Sequence, residues 1–195
     1  EYIKEKAKEI PVFGEYDVVV AGGGIAGISA ALAARRNGAK VLLLEKQFLL
    51  GGLATLGLIT IYLPLCDGKG KQVSFGIAEE LFHLSIKHGY EDKYPKPWLE
   101  NGTLEEKKKL RYEVRYNANT AAILFEKLLL DEGVEILYGS SVCDTVVSRN
   151  KITSLIIENK SGRSAVACKS VVDATGDADV VYRSGEETDT FKQGN

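Results

Sequence analysis

The chain has 195 residues, 45% of them hydrophobic and 27% charged, with a formal net charge of −2. This is ordinary for a globular domain and leaves no basic surplus of the kind that binds nucleic acid. The apolar runs are too short to cross a bilayer, residues 1–9 lack the apolar core of a secretory signal, and three widely spaced cysteines without C-x-x-C fit a reducing cytoplasm.

Residues 1–11 form a charged lead-in, either a short helix or a surface tail. Residues 16–21 read as a buried parallel strand, because Val18, Val19 and Val20 are consecutive and β-branched. The run Gly22-Gly23-Gly24-Ile25-Ala26-Gly27 follows with the spacing G-x-G-x-x-G. Gly22 permits a tight turn, Gly24 leaves the approach of a diphosphate open, and Gly27 lets a helix sit close to the strand. Residues 25–36 form that helix, whose first-turn amides lack intrahelical partners and suit a phosphate. Asn37-Gly38 stops it. Residues 39–44 are a second strand, with Glu45 at its end. A carboxylate there accepts hydrogen bonds from both hydroxyls of an adenosine ribose and repels a 2′-phosphate, which disfavours NADP. An ordinary Gly-rich turn is the plain alternative. Strand, turn, helix, strand and acid in order within about thirty residues favour a dinucleotide site.

Residues 47–60 read as a Gly-containing loop, and the composition changes over residues 61–110. A helix is expected over residues 73–88 on Ile77, Leu81, Leu84 and Ile86, with Gly89 as its stop. Residues 90–102 read as a loop through Pro95, Pro97, Asn101 and Gly102. Thr103 and Glu106 form a capping box that opens a short lysine-rich helix. Its Lys107, Lys108 and Lys109 read as a solvated face rather than an anion site. Residues 112–116 alternate and predict a strand. Asn119 is the expected N-cap of a helix over residues 120–132, stopped by Gly133. Residues 134–138 are the next strand. Residues 141–148, 151–158 and 163–168 predict three strands joined by turn residues, a β-meander. Residues 171–173 predict a further short buried strand, followed by Ala174-Thr175-Gly176-Asp177. Right-handed crossovers place the strand at Val134 beside the one at Ala39.

Smaller signals carry two readings each. Cys66 reads as a packed residue or a redox partner. Arg111, Arg115, Tyr112 and Tyr116 read as packing beside the insertion or as an anion-holding face. Trp98 fills core or covers a pocket. His83 and His88 lie five apart, which is not metal-ligand spacing on a helix face. No motif of a hydrolase mechanism is present.

Three pieces together resemble the FAD-dependent oxidoreductases of the two-dinucleotide-binding-domain flavoprotein group. They are the run from Asp17 to Glu45, the paired glycines in Leu50-Gly51-Gly52-Leu53-Ala54-Thr55, and the turn Ala174-Thr175-Gly176-Asp177. The resemblance implies an α/β fold, a Rossmann-like FAD/NAD(P)-binding domain. Its doubly wound, mostly parallel sheet would carry a three-stranded β-meander and an inserted helical segment. It implies one FAD-binding domain over residues 1–195, built from 1–60 and 111–195 with residues 61–110 inserted, as a fragment of a longer flavoprotein.

The implied chemistry is hydride transfer to or from the flavin N5, with FAD as the cofactor and a small-molecule substrate that the sequence does not identify. Oligomeric state and a catalytic acid or base are likewise not set. By the same resemblance, Gly22, Gly24, Ile25 and Ala26 line the diphosphate, and Glu45 takes the adenosine ribose beside Lys46. Gly51, Gly52, Leu53, Ala54 and Thr55 run along the diphosphate and ribityl chain. Val142 pairs with adenine through its backbone, and Ala174, Thr175 and Gly176 close over the cofactor, with Asp177 at a ribityl hydroxyl. The basic residues that usually flank the paired glycines are replaced by Leu49 and Leu53. Two other readings stay open here: a dinucleotide-binding module without activity of its own, and an NAD-dependent Rossmann enzyme.

Overall fold

The computed structural model describes residues 3, 6–62, 64–88, 90 and 94–189. Gly89, the expected helix stop, lies outside the described residues, as do residues 1, 2, 4 and 5 of the lead-in. Residues 6–11 have no regular structure and are largely exposed, which favours the surface tail over the helix.

Six strands form one mixed sheet in the order β3-β2-β1-β6-β5-β4. β1 (Val12–Ala21) is central, flanked by strands on both sides, and its Val19 and Val20 are buried in the clusters on the two faces of the sheet. It pairs in parallel with β2 (Val41–Leu44), and β2 pairs in parallel with β3 (Glu135–Leu137). The strand after Val134 therefore lies beside the one after Ala39, as a right-handed crossover requires. On its other side β1 pairs in parallel with β6 (Gly162–Asp173), from Val12 opposite Ala165 to Ala21 opposite Asp173. β6 also pairs antiparallel with β5 (Lys151–Asn159), and β5 with β4 (Ser141–Ser148).

This corrects one expectation. Residues 163–168 and 171–173 are not two strands but one, because the polar Lys169-Ser170 step stays hydrogen-bonded in register with β1. Lys169 and Ser170 are exposed and interrupt the apolar pattern without interrupting the ladder.

One sheet face is covered by α1 (Ile25–Arg36) and α5 (Ala118–Asp131). Ile28, Ala31 and Leu32 of α1 and Ala121, Phe125 and Leu129 of α5 join Val20, Val41 and Leu43 in one buried cluster. The opposite face buries Tyr16, Val19, Ala21, Leu42 and Leu44 against Leu155, Ile157, Val166 and Val180. Val180 comes from α6 (Asp179–Arg183), a helix with no sequence forecast.

Between β2 and α5 lie α2 (Ile77–Ile86), α3 (Lys96–Leu99) and α4 (Leu104–Lys109). α2 is shorter than the expected 73–88, starting after Gly76, whose φ of 68° suits glycine. The expected loop over residues 90–102 contains α3, which Pro97 can enter because a first-turn amide needs no partner. The capping box of Thr103 and Glu106 forms with both reciprocal bonds. Leu81, Phe82 and Ile86 of α2 share the cluster under α1 and α5. Arg36 ties three helices together, reaching Glu80 of α2 and Glu132 beyond α5, each at 2.7 Å.

Residues 112–116 do not form a ladder strand: the chain bends at Tyr112, where the Glu113 amide donates to Arg111 O at 2.9 Å, and the segment makes only isolated bridges at Arg115 and Tyr116. The alternation is nonetheless physical, since Tyr112, Val114 and Tyr116 are buried. The N-cap of α5 is Asn117, whose side chain accepts the Thr120 amide at 3.0 Å, and Asn119 lies inside the first turn. Two asparagines two apart both suit a cap, and the bond to Thr120 decides between them.

Candidate cofactor site

The C-terminal ends of β1, β2 and β6 open onto one cleft of about 790 Å³, within the size range of ligand sites. Three loops meet there. The first is the turn after β1. Gly22 has φ of 105°, and a Cβ on it would overlap the carbonyl of Ala174. The Ala174 amide donates to Ala21 O at 2.8 Å, so the two turns are sewn together where only hydrogen fits. A Cβ on Gly27 would collide with the Gly22 carbonyl, which is why the helix can lie so close. Gly24 differs, because a Cβ there would meet nothing within 4 Å and would project into open space. Gly24 is the N-cap of α1 and offers no side chain to its amides. The first bond of α1 is Ile28 N to Gly24 O, so the amides of Ile25 and Ala26 face the cleft with the positive end of the helix behind them.

The second loop holds the paired glycines. Gly51 donates to Gly23 O at 2.8 Å and bridges Gly24, which lays residues 51–54 against the first turn. A 3₁₀ turn over Gly52–Ala54 follows. Its opening amides, those of Gly52 and Leu53, take no part in its internal bonds.

The third loop is the turn after β6, held by Asp173. Oδ1 of Asp173 accepts from the Thr175 hydroxyl at 2.7 Å and the Thr175 amide at 3.1 Å. Oδ2 accepts the amides of Val180 at 2.9 Å and Val181 at 3.0 Å. Burial works to raise the pKa of this carboxyl, but the Thr175 side chain and the three amides outweigh it and hold the group below the usual carboxylate range.

Glu45 is 7% exposed. Its Oε2 accepts the Gly23 amide and its Oε1 the Gln47 amide, each at 2.7 Å. A carboxylate has about four acceptor positions, so two remain for a ligand. Ser140, Ser141 and Val142, at the start of β4, complete that end of the cleft.

Of the residues expected from the sequence, Gly22, Gly24, Ile25, Ala26, Glu45, Lys46, Gly51, Gly52, Leu53, Ala54, Val142, Ala174, Thr175 and Gly176 line this cleft. Two do not. Thr55 is 2% exposed, and its hydroxyl donates to the carbonyl of Leu50 at 2.5 Å, closing the loop from inside. Asp177 is exposed and off the cleft wall. The wall also includes Asp179 and Arg183, which sequence reasoning missed. Arg183 Nη1 lies 3.3 Å from Asp179 Oδ1, an i,i+4 pair on α6. That spacing was the available signal, but a five-residue helix has too short a period to stand out.

Of the smaller signals, Cys66, Trp98, Tyr112 and Tyr116 pack, whereas Arg111, Arg115, His83 and His88 are exposed. Cys66 is buried in the core cluster. Trp98 donates to Leu110 O at 2.6 Å and stacks flat on Tyr112 at 5.0 Å. His83 Nε2 lies 2.8 Å from the Tyr112 hydroxyl. Among the described residues no group of three His, Cys, Asp or Glu could hold a metal ion, and no helix is long and apolar enough to cross a membrane.

The model of the family described as FAD dependent oxidoreductase matches residues 17–194. The chain belongs to this family. It is 31% identical over 159 residues to a thioredoxin reductase of Ureaplasma parvum, a match covering 77% of this chain and 49% of that protein. Among solved structures it superposes on THI4 of Thermovibrio ammonificans with a TM-score of 0.59 and 20% identity, covering 87% of this chain and 61% of that one. It also superposes on the L-proline dehydrogenase of P. horikoshii with a TM-score of 0.62 and 17% identity, covering 92% and 58%. At those identities the likeness is one of fold, the Rossmann-like fold of FAD/NAD(P)-binding flavoproteins. The chain spans about half the length of the curated relative it matches.

Proposed function

We propose that this chain is the FAD-binding part of an oxidoreductase and that FAD lies across the cleft between the three loops. The observation that carries this reading is the open space at Gly24, faced by the free amides of Ile25 and Ala26 and flanked by Gly51 and Gly52. A diphosphate fits such a cradle because it needs donors and close backbone approach more than side-chain charge. That also answers the leucines at positions 49 and 53, where the wider group carries basic residues. Lys46 and Arg183 are the cations on the wall.

In this reading Glu45 accepts the adenosine ribose hydroxyls with its two remaining acceptor positions. The backbone around Val142 faces adenine. Residues Gly52, Leu53 and Ala54 run beside the ribityl chain, and Ala174, Thr175 and Gly176 close over it, held by Asp173. When bound, the isoalloxazine supplies the redox chemistry, with N5 as the hydride position. The protein's part is to bind and orient. The family membership and the second loop support FAD over NAD, because an NAD site has no ribityl chain to follow. The substrate is expected to be a small molecule.

A visible spectrum of the purified native protein tests the proposal. Bands near about 370 and 450 nm are expected from a bound flavin. A colourless protein that also fails to bind added FAD would overturn it.

A further inference from the structure

Leu53, Ala54, Leu56 and Gly57 line the cleft, and within residues 53–59 the buried Thr55 side chain anchors the loop at Leu50 O while Leu53, Leu56, Leu58 and Ile59 are each at least half exposed. Their path is held from behind by a residue 57 or more positions later in the chain. The Tyr116 hydroxyl lies 2.9 Å from Ala54 O and 3.2 Å from Ile59 O, so its one proton is shared between the two ends of the loop. The Tyr116 amide donates to Thr60 O at 3.1 Å, and the next residue back, Arg115, bridges Ile61. The side chain is 2% exposed and packs on the Tyr62 ring at 5.1 Å. Burial pushes the phenol up to about 12, so the hydroxyl is a donor at every physiological pH.

We propose that Tyr116 is a positioning residue for the cofactor: its hydroxyl sets the course of residues 53–59 along the cleft without itself reaching the cleft. This rests on the reading of the cleft as an FAD site. Tyr116 is the end of an aromatic chain through Tyr62, Phe82 and Tyr112, with ring centroids 5.1–5.2 Å apart. The segment containing α2–α4 is thereby connected to the loop beside the ribityl chain, and a change in its packing reaches the cofactor through Tyr116.

The test is Tyr116→Phe in the native full-length protein, titrated separately with FAD and with AMP. AMP fills only the part of the cleft at Glu45 and Val142, away from residues 53–59. Loss of the shared hydrogen bond to the part-buried carbonyls of Ala54 and Ile59 predicts about tenfold weaker FAD binding. AMP affinity is expected to stay unchanged, and the amides of residues 54–59 to exchange faster with solvent. Equal FAD affinity, parallel loss of both ligands or unchanged exchange would each overturn the role of Tyr116. Wild-type protein that binds neither ligand would instead overturn the reading of the cleft.

Discussion

Glu45 Oε2 accepts the amide of Gly23 at 2.7 Å, so the acid that ends β2 is fixed by the turn that ends β1. With Oε1 on the Gln47 amide, the carboxylate orders two loops before any ligand arrives. Placing it costs desolvation, which these charge-assisted bonds offset. Glu45→Ala is therefore expected to act twice. Unfolding stability should fall by about 1–3 kcal/mol, since two amides lose their acceptor in a buried place. FAD affinity should fall by a similar about 1–3 kcal/mol if the free acceptor positions hold the ribose. Denaturant unfolding of the cofactor-free protein and FAD titration separate the two. Affinity that survives the change would withdraw the ribose role and leave the structural one.

The glycines of one motif are expected to respond differently to the same substitution. At Gly24, φ is −70° and a Cβ meets nothing, so Gly24→Ala should cost the fold under about 1 kcal/mol. It should nevertheless sharply weaken FAD binding, because the added methyl occupies the diphosphate approach. Gly27→Ala places a Cβ in the Gly22 carbonyl and should cost about 3 kcal/mol or more, or prevent folding. Thermal unfolding beside FAD titration reads both. A Gly24→Ala protein with unaltered affinity would move the diphosphate elsewhere.

Asp173 predicts a pH dependence. Its folded pKa is lowered, so its contribution to stability is full above the ordinary value near 3.8 and is lost as pH falls through the lower folded value. The turn after β6 should stay intact from neutral pH to about 4 and loosen below it. Protection of the Val180 and Val181 amides, corrected for intrinsic exchange, follows this directly. Asp173→Asn should remove the acid transition; if the transition persists, another carboxylate is responsible.

The Arg36 cluster is expected to matter little. Its partners Glu80 and Glu132 are about a third exposed, and such pairs contribute at most about 1 kcal/mol. Glu80→Gln should lower the melting temperature slightly, and added salt should shrink the difference. A salt-independent loss would mean the bidentate geometry matters more than the charge.

Where local chemistry sets the structure, the sequence was legible. The limits of α1 follow from Gly24 before it and Asn37-Gly38 after it, and the box at Thr103 from four residues alone. Fourteen of the sixteen expected site residues lie on the cleft wall because the glycine turns and Glu45 follow backbone requirements. The misses are tertiary. Thr55 looks like any cofactor-loop hydroxyl until Leu50 O is beside it. β6 reads as two strands until β1 is laid along it. The hold of Tyr116 on residues 54–59 spans more than fifty positions that no local pattern links.

The pairing of β1 with β6 also orders events during synthesis. Val12 and Ala165 are partners, as are Ala21 and Asp173, so the two strands are separated by roughly 150 residues of chain. At about 5–20 residues per second a ribosome takes roughly 8–30 s to bridge that interval. For that time one long edge of β1, rich in valine, has no partner and is a template for the wrong strand. The nascent chain therefore depends on whatever shields that edge until β6 emerges.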